Sequence, residues 1–316
     1  MGRRPISEVL DDPATDEVTR HKLLLTRQAR AFAIHMLGLD AGDSYTTFTR
    51  VKEEVLAWIL SAAYQDRLES KTWWFPIVGR VPYRGYSSRE AAEKEGRKLH
   101  REGFDTWIRP TSAFSTLGWF SDPLLSTLLA YDDVELVATV LHELSHNHLW
   151  VPDHARFNES YATFVGQVGA ISFFCGPGEP PSDPENCQRA RTLWAEDQAF
   201  SSFLDEFVEE LQAVYARTDL TTQEKVQARE ALLLATKEKY ASLPDPEPNR
   251  RLVSNFLDAP LNNAVLMGRM LYFHRLPDFQ ALLEQHGNDL PSAIETLKRG
   301  VEHTEDPFQL LPDHPR

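Results

Sequence analysis

The run His142-Glu143-Leu144-Ser145-His146 lies inside a stretch whose apolar residues, Val134, Val137, Ala138, Leu141 and Leu144, recur at helical spacing from Asp132 to about Trp150. Helix positions four apart share a face, so both imidazoles can converge on one metal ion, with Glu143 aimed at the same cleft one position on. Neutral imidazole suits zinc, and a neighbouring carboxylate can take a proton from activated water. Catalytic zinc usually takes three protein ligands and keeps a fourth position open, which calls for one more donor. Glu159 is the expected one. It stands in Phe157-Asn158-Glu159-Ser160-Tyr161-Ala162 at the start of the next predicted helix, roughly 157–174, and Val151 to Arg156 is long enough to reverse the chain. Two antiparallel helices would then present His142, His146 and Glu159 to one point. His154 is the rival ligand, but no His-x-x-Gly-x-x-His continuation follows His146. His148 is turned about 200° from His146, and Glu135, on the face of His142, is expected at the surface.

The remainder reads as strands followed by helices. Residues 15–38 are an amphipathic helix ending at Gly38; Val55 to Tyr64 and Trp73 to Tyr86 are irregular strands; Ser88 to Glu102 is a short helix stopped by Gly103. Asp105 to Arg109 and Ala113 to Phe120 form further strand, with Pro110 between them. Leu193 to Tyr215 and Thr221 to Tyr240 are helical, Thr221 and Glu224 forming a capping box. A Pro-rich linker, Pro244 to Pro248, leads to a last helical region from about Pro260 to Gln285. The expected class is α+β, a sheet lobe followed by a mainly helical lobe with the active-site cleft between them.

Composition excludes several partners. Lys plus Arg total 33 against 47 for Asp plus Glu, a net charge of −14 that repels phosphate backbones and anionic lipid surfaces. No nucleic acid is expected, no obligate protein partner is evident, and no stretch approaches the roughly 20 apolar residues of a membrane span. The two cysteines, Cys175 and Cys187, flank a turn-rich segment; an oxidising compartment would bridge them and cytoplasm would leave them as thiols.

His-Glu-x-x-His followed on the next helix by Asn-Glu-x-x-Ala resembles the gluzincin metallopeptidases, whose third ligand is the Glu of the second motif. Phe75-Pro76-Ile77-Val78-Gly79, Val81-Pro82-Tyr83-Arg84-Gly85-Tyr86, Ser115-Thr116-Leu117-Gly118-Trp119-Phe120 and Leu261-Asn262-Asn263-Ala264 resemble the bacterial putative aminopeptidase family. That resemblance implies a zincin-like fold over 1–316 as a single domain, with an N-terminal helix and sheet lobe (1–130), zinc helices (131–175) and a helical lobe (176–316). It implies Zn2+ as cofactor, a peptide substrate and aminopeptidase activity. The alternatives are an endopeptidase, a hydrolase of non-peptide amides, and a catalytically silent zinc-binding protein of the cell envelope.

Glu143 is the expected base. Ala113 to Phe120 lies where gluzincins run an edge strand, so Ser115, Thr116, Leu117 and Gly118 would bind peptide by main-chain hydrogen bonds. Tyr272 is a candidate oxyanion donor or a core tyrosine, and Arg84 a candidate for a substrate carboxylate or a tie between strands. Family members carry cysteines where this chain has Trp74 and Arg80, and their lipoprotein leader implies the periplasm or cell envelope. Met1 to Pro5 begins no such leader, which is expected upstream; cytoplasm is the alternative. The gap from His146 to Glu159 is shorter than in thermolysin, so the connecting loop must be tight.

Overall fold

The computed structural model describes residues 2–51, 55–76, 79–111, 122–176, 183–242 and 251–312. In chain order the elements are β1 (Arg4–Pro5), α1 (Ile6–Asp11), α2 (Glu17–His35), β2 (Thr47–Thr49), β3 (Ala57–Tyr64), β4 (Trp73–Phe75), β5 (Gly79–Val81), β6 (Tyr83–Tyr86), α3 (Arg89–Arg101), β7 (Phe104–Thr111) and β8 (Leu124–Leu125). They continue with α4 (Asp133–His148), α5 (Ala155–Cys175), α6 (Pro184–Tyr215), α7 (Thr222–Ala241), α8 (Arg251–Asp258), α9 (Asn263–Tyr272), α10 (Leu276–Gln285) and α11 (Leu290–Gly300). The class is α+β, dominated by helix, with small irregular sheets. Ser115, Thr116, Leu117, Gly118 and the rest of the expected edge strand, and the linker at Pro244 to Pro248, lie outside the described residues.

Two compact units interleave along the chain. The first comprises Met1–Leu56, Thr111–Trp194 and Asp278–Pro315. Its sheet is the order β1-β2-β8, antiparallel then parallel. Its centre is α5, almost wholly buried, with Phe157, Tyr161, Phe164 and Val165 fully enclosed. A helix apolar on every side must be covered on every side. Here α4, α2 and α11 all pack on it, and each contributes buried apolar residues to this unit: Val137, Leu141 and Leu144 from α4, Leu23, Ala29 and Ala33 from α2, and Leu290, Ile294 and Leu297 from α11. Phe157 packs on Phe279 and edge-on to Phe308. A disulfide joins Cys175, the last residue of α5, to Cys187 in α6.

The second unit is Ala57–Pro110 with Ala195–Pro277. Its sheet runs β6-β3-β7, with α3 laid over it through Leu60, Ala62, Leu99 and Phe104. The larger core joins the Phe200, Phe203 and Phe207 ladder of α6 to Val253, Phe256 and Leu257 of α8 and to α9. In the hairpin β4–β5, Trp74 stands opposite Arg80 across the strands.

Four details differ from the sequence reading. Pro110 does not end the strand at Arg109, because β7 lies at the edge of the sheet formed by the described residues, where a missing N–H is tolerated. Helix α6 starts at Pro184 rather than Leu193, since proline suits a first helical turn and the Asp183 carboxylate accepts from Asn186 N. Helix α8 is additional to the expected set. So is α11, whose start was legible: Asp289 caps it, Pro291 sits in its first turn, and Leu290, Ala293, Ile294 and Leu297 keep helical spacing.

Candidate metal centre

Helix α4 is fixed at its start before it offers any chemistry. Asp132 and Glu135 form a capping box, which accounts for the surface position of Glu135. The buried Lys22 of α2 donates to Asp133 and to the Tyr131 carbonyl, 2.6 and 2.7 Å away, and His21 lies 2.7 Å from the same Asp133 carboxylate. Directly after Leu141 the helix presents His142 and Glu143, and one turn beyond His142 it presents His146.

Helix α5 must come close to reach those imidazoles, and glycine permits it. A Cβ on Gly166 would sit 2.6 Å from the Ala138 carbonyl oxygen and 3.1 Å from His142 Cβ; one on Gly169 would sit 2.7 Å from the Leu141 side chain. The first obstacle is backbone and cannot swing aside. Gly166→Ala is therefore expected to push α5 off α4, lowering stability by roughly 1–3 kcal/mol and weakening metal binding in the same variant. Thermal melts with metal titration check this. An unchanged Tm with unchanged affinity would mean that the two helices can slide past the methyl group.

The tight loop between the helices has its own clamp. The fully buried Asn158 accepts from Val151 N at 2.9 Å and donates to Val151 O at 2.8 Å, satisfying both polar groups of a residue in the reversal. Asn158, read from the sequence only as part of a motif, is thus the residue that sets how Glu159 enters the site.

At the centre, Glu159 Oε2 lies 3.3 Å from His142 Nε2 and 3.6 Å from His146 Nε2, and the rings meet edge to face with centroids 5.0 Å apart. One donor atom from each of the three residues lies within 4.8 Å of the others, so the group could hold a metal ion. His154 is not in this group; it precedes α5 as its N-cap residue. His148 is turned away and accepts from Asp40 N at 3.2 Å. Burial by itself would raise the Glu159 carboxyl, but hydrogen bonds and charge from His142 and His146 outweigh it and hold the group well below the usual carboxylate range. Burial likewise lowers His146, yet the neighbouring Glu159 carboxylate leaves it above its ordinary value. His146 Nδ1 is buried without a partner among the described residues, so its proton placement is governed from the Nε2 side. Glu143 is pushed up by burial, which His142 and His146 oppose and which Glu159 and Asp122 reinforce.

A further residue, missed in the sequence, faces the Glu143 side of α4. Asn147, one turn beyond Glu143 on the same face, donates to Ser44 Oγ at 3.3 Å; Ser44 Oγ also accepts from Asp122 N at 3.2 Å, and Tyr45 N donates to Asp122 O at 2.7 Å. Tyr45 is held in the left-handed region at φ 59°, an uncommon state for an aromatic residue. Its buried phenol is pushed well up, first by burial and then by the charges of Glu143 and Asp122. Nothing in the local sequence Asp43-Ser44-Tyr45 signalled this, because the partners, Asp122, Glu143 and Asn147, lie in distant segments of the chain.

The other candidates sit in the second unit. Tyr272 ends α9, with the Arg109 guanidinium 5.9 Å from its ring centre. Arg84 is exposed on β6, its guanidinium 5.4 Å from the Tyr86 ring. Asp105 is committed to Arg229 at 2.6 Å and to Asn263 N.

Compared with known families, residues 1–306 match the family described as "Putative aminopeptidase". No curated protein and no solved structure matches the chain.

Proposed function

We propose that this chain, which belongs to the putative aminopeptidase family, is a zinc-dependent, zincin-like peptidase with His142, His146 and Glu159 as ligands and Glu143 as the proton-transfer group. The observation that carries the reading is the spacing of the donors. With zinc–ligand distances of about 2.0–2.2 Å, neighbouring corners of a tetrahedron are about 3.3–3.6 Å apart. The separations of 3.3 and 3.6 Å from Glu159 to the two imidazoles agree with that, and exceed the roughly 2.7–2.9 Å of a good charge-assisted hydrogen bond. Two nitrogens and one carboxylate are also a donor set that zinc favours, with one position left for water or substrate.

Bound zinc would supply a Lewis acid that polarises the scissile carbonyl and promotes ionisation of water near neutral pH. Glu143 takes the proton from the attacking water as the new C–O bond forms, and returns it to the amine nitrogen as the C–N bond breaks. Burial raises its pKa in the metal-free chain and makes it a better proton acceptor, an effect that His142 and His146 oppose. The Cys175–Cys187 disulfide favours an oxidising compartment, in line with the periplasm or cell envelope. Among the described residues no helix is long and apolar enough to cross a membrane.

For exopeptidase action the substrate's free ammonium needs a carboxylate. Asp122 is the acid we assign to it, because it is buried, belongs to the same unit as the triad and acts electrostatically on Glu143. Peptides with a free N-terminus are expected to be cleaved at least tenfold faster than their acetylated forms, and Asp122→Asn should raise KM more than it lowers kcat. Steady-state kinetics on one peptide series checks both. Equal cleavage of acetylated peptides at internal bonds would make the enzyme an endopeptidase and leave the zinc chemistry untouched.

A further inference from the structure

We propose that Arg109 and Arg269, gathered around Trp107 in the second unit, form a binding site for a carboxylate, either the C-terminal carboxylate of a peptide or an acidic side chain. The identity of the ligand as a peptide rests on the peptidase reading; the anion site itself does not.

In a chain with net charge −14, arginines readily find acids. Arg67, Arg189, Arg217, Arg229 and Arg251 all pair with carboxylates. Arg109 and Arg269 are among those with no ion pair to a described residue, and Arg109 Nε is, in addition, buried with no hydrogen-bond partner. Instead both guanidinium carbons lie against the same indole, 5.2 and 5.5 Å from the Trp107 ring centre, and Arg109 also lies 5.9 Å from that of Tyr272.

The arrangement is built into the backbone. Trp107 and Arg109 are two apart on β7 and so share a face of the strand. Gly268 precedes Arg269 on α9, and a Cβ there would lie 2.6 and 2.8 Å from carbons of the Trp107 ring. The missing side chain at 268 is what lets the indole lie on the helix and bring the two cations together. Stacking on an aromatic face compensates each guanidinium only in part, and it satisfies none of the in-plane N–H donors. Arg269 is exposed to solvent, so an incoming anion can reach it; partial burial of its guanidinium, and next the charge of Arg109, push it below the ordinary arginine value. Two like charges sharing one ring, with a buried N–H unused, are a cost that a planar anion removes. A carboxylate can accept two parallel bonds from a guanidinium fork, including the one at Nε.

The test is calorimetric binding to the metal-loaded, full-length Glu143→Gln chain, in which turnover is blocked. Three peptides of one sequence are compared: one with a free C-terminal carboxylate, one amidated, and one amidated with an internal glutamine changed to glutamate. At least one carboxylate is expected to tighten binding tenfold or more over the neutral peptide, and which one does so identifies the source. That preference should fall towards unity in Arg109→Gln/Arg269→Gln and shrink several-fold in Arg109→Lys, which keeps the charge but loses the fork. Arg109→Lys remains informative if the double variant does not fold. No binding, no preference for either carboxylate, or a preference untouched by these substitutions overturns the proposal. Carboxylate-dependent binding of peptides that the wild-type chain never cleaves would sustain the site and defeat the peptidase reading; cleavage without carboxylate dependence would do the reverse.

Discussion

Glu143→Gln is expected to lower kcat by roughly 10²–10⁴-fold, the usual contribution of a positioned acid–base group, while metal content and Tm stay at wild-type values. The amide is nearly isosteric with the carboxylate, and Glu143 is not one of the three donors that converge, so neither packing nor ligation is removed. On the proposed reading, what disappears is the ability to accept a proton from water and return it to the amine. Because that transfer belongs to the transition state, kcat should fall with little change in KM. Metal analysis, a melting curve and steady-state kinetics on the same preparation separate the possibilities. Near wild-type turnover with full metal occupancy would remove Glu143 as the base, and loss of metal would recast it as a ligand.

How much of this was readable from residues depends on the range of the contacts. The helices α4 and α5, the capping boxes at Asp132 and Thr221, and the breaks at Gly38 and Gly103 follow from local spacing and from backbone states that glycine adopts freely. The donor set His142, His146 and Glu159 was legible for the same reason: two members share a helix face and the third begins the next helix. What makes the set converge was less visible. Gly166 reads as a poor helix residue until α4 is seen to pass at that point, and Asn158 reads as a motif letter until its two bonds to Val151 are seen to close the loop. Tyr45 in the field of Glu143, and Arg109 with Arg269 about Trp107, come from distant segments, and no periodicity within a single stretch encodes such pairings.

Glu159→Ala is expected to abolish stable metal binding, whereas His154→Ala should retain it. Losing a partner that merely orients a ligand typically costs 10–100-fold in metal affinity; losing a direct donor from a three-ligand site should cost more. The geometry leaves no obvious substitute, since His142 and His146 converge with Glu159 alone among the described residues, and His154 lies outside the group. The variant also lacks the anion that holds the His146 proton, so the two imidazoles would face each other across an emptied, buried space. Folding and metal loss can be told apart by measuring Tm with and without chelator. A ligand that binds only the native state raises stability in proportion to the logarithm of its concentration over Kd, so wild-type protein and His154→Ala should melt lower after chelation. Glu159→Ala should melt at the same temperature in both conditions, with no metal found by elemental analysis. Retained metal and a retained chelator effect in Glu159→Ala, together with their loss in His154→Ala, would move the third ligand from Glu159 to His154 and undo the reading of the site built on the second helix.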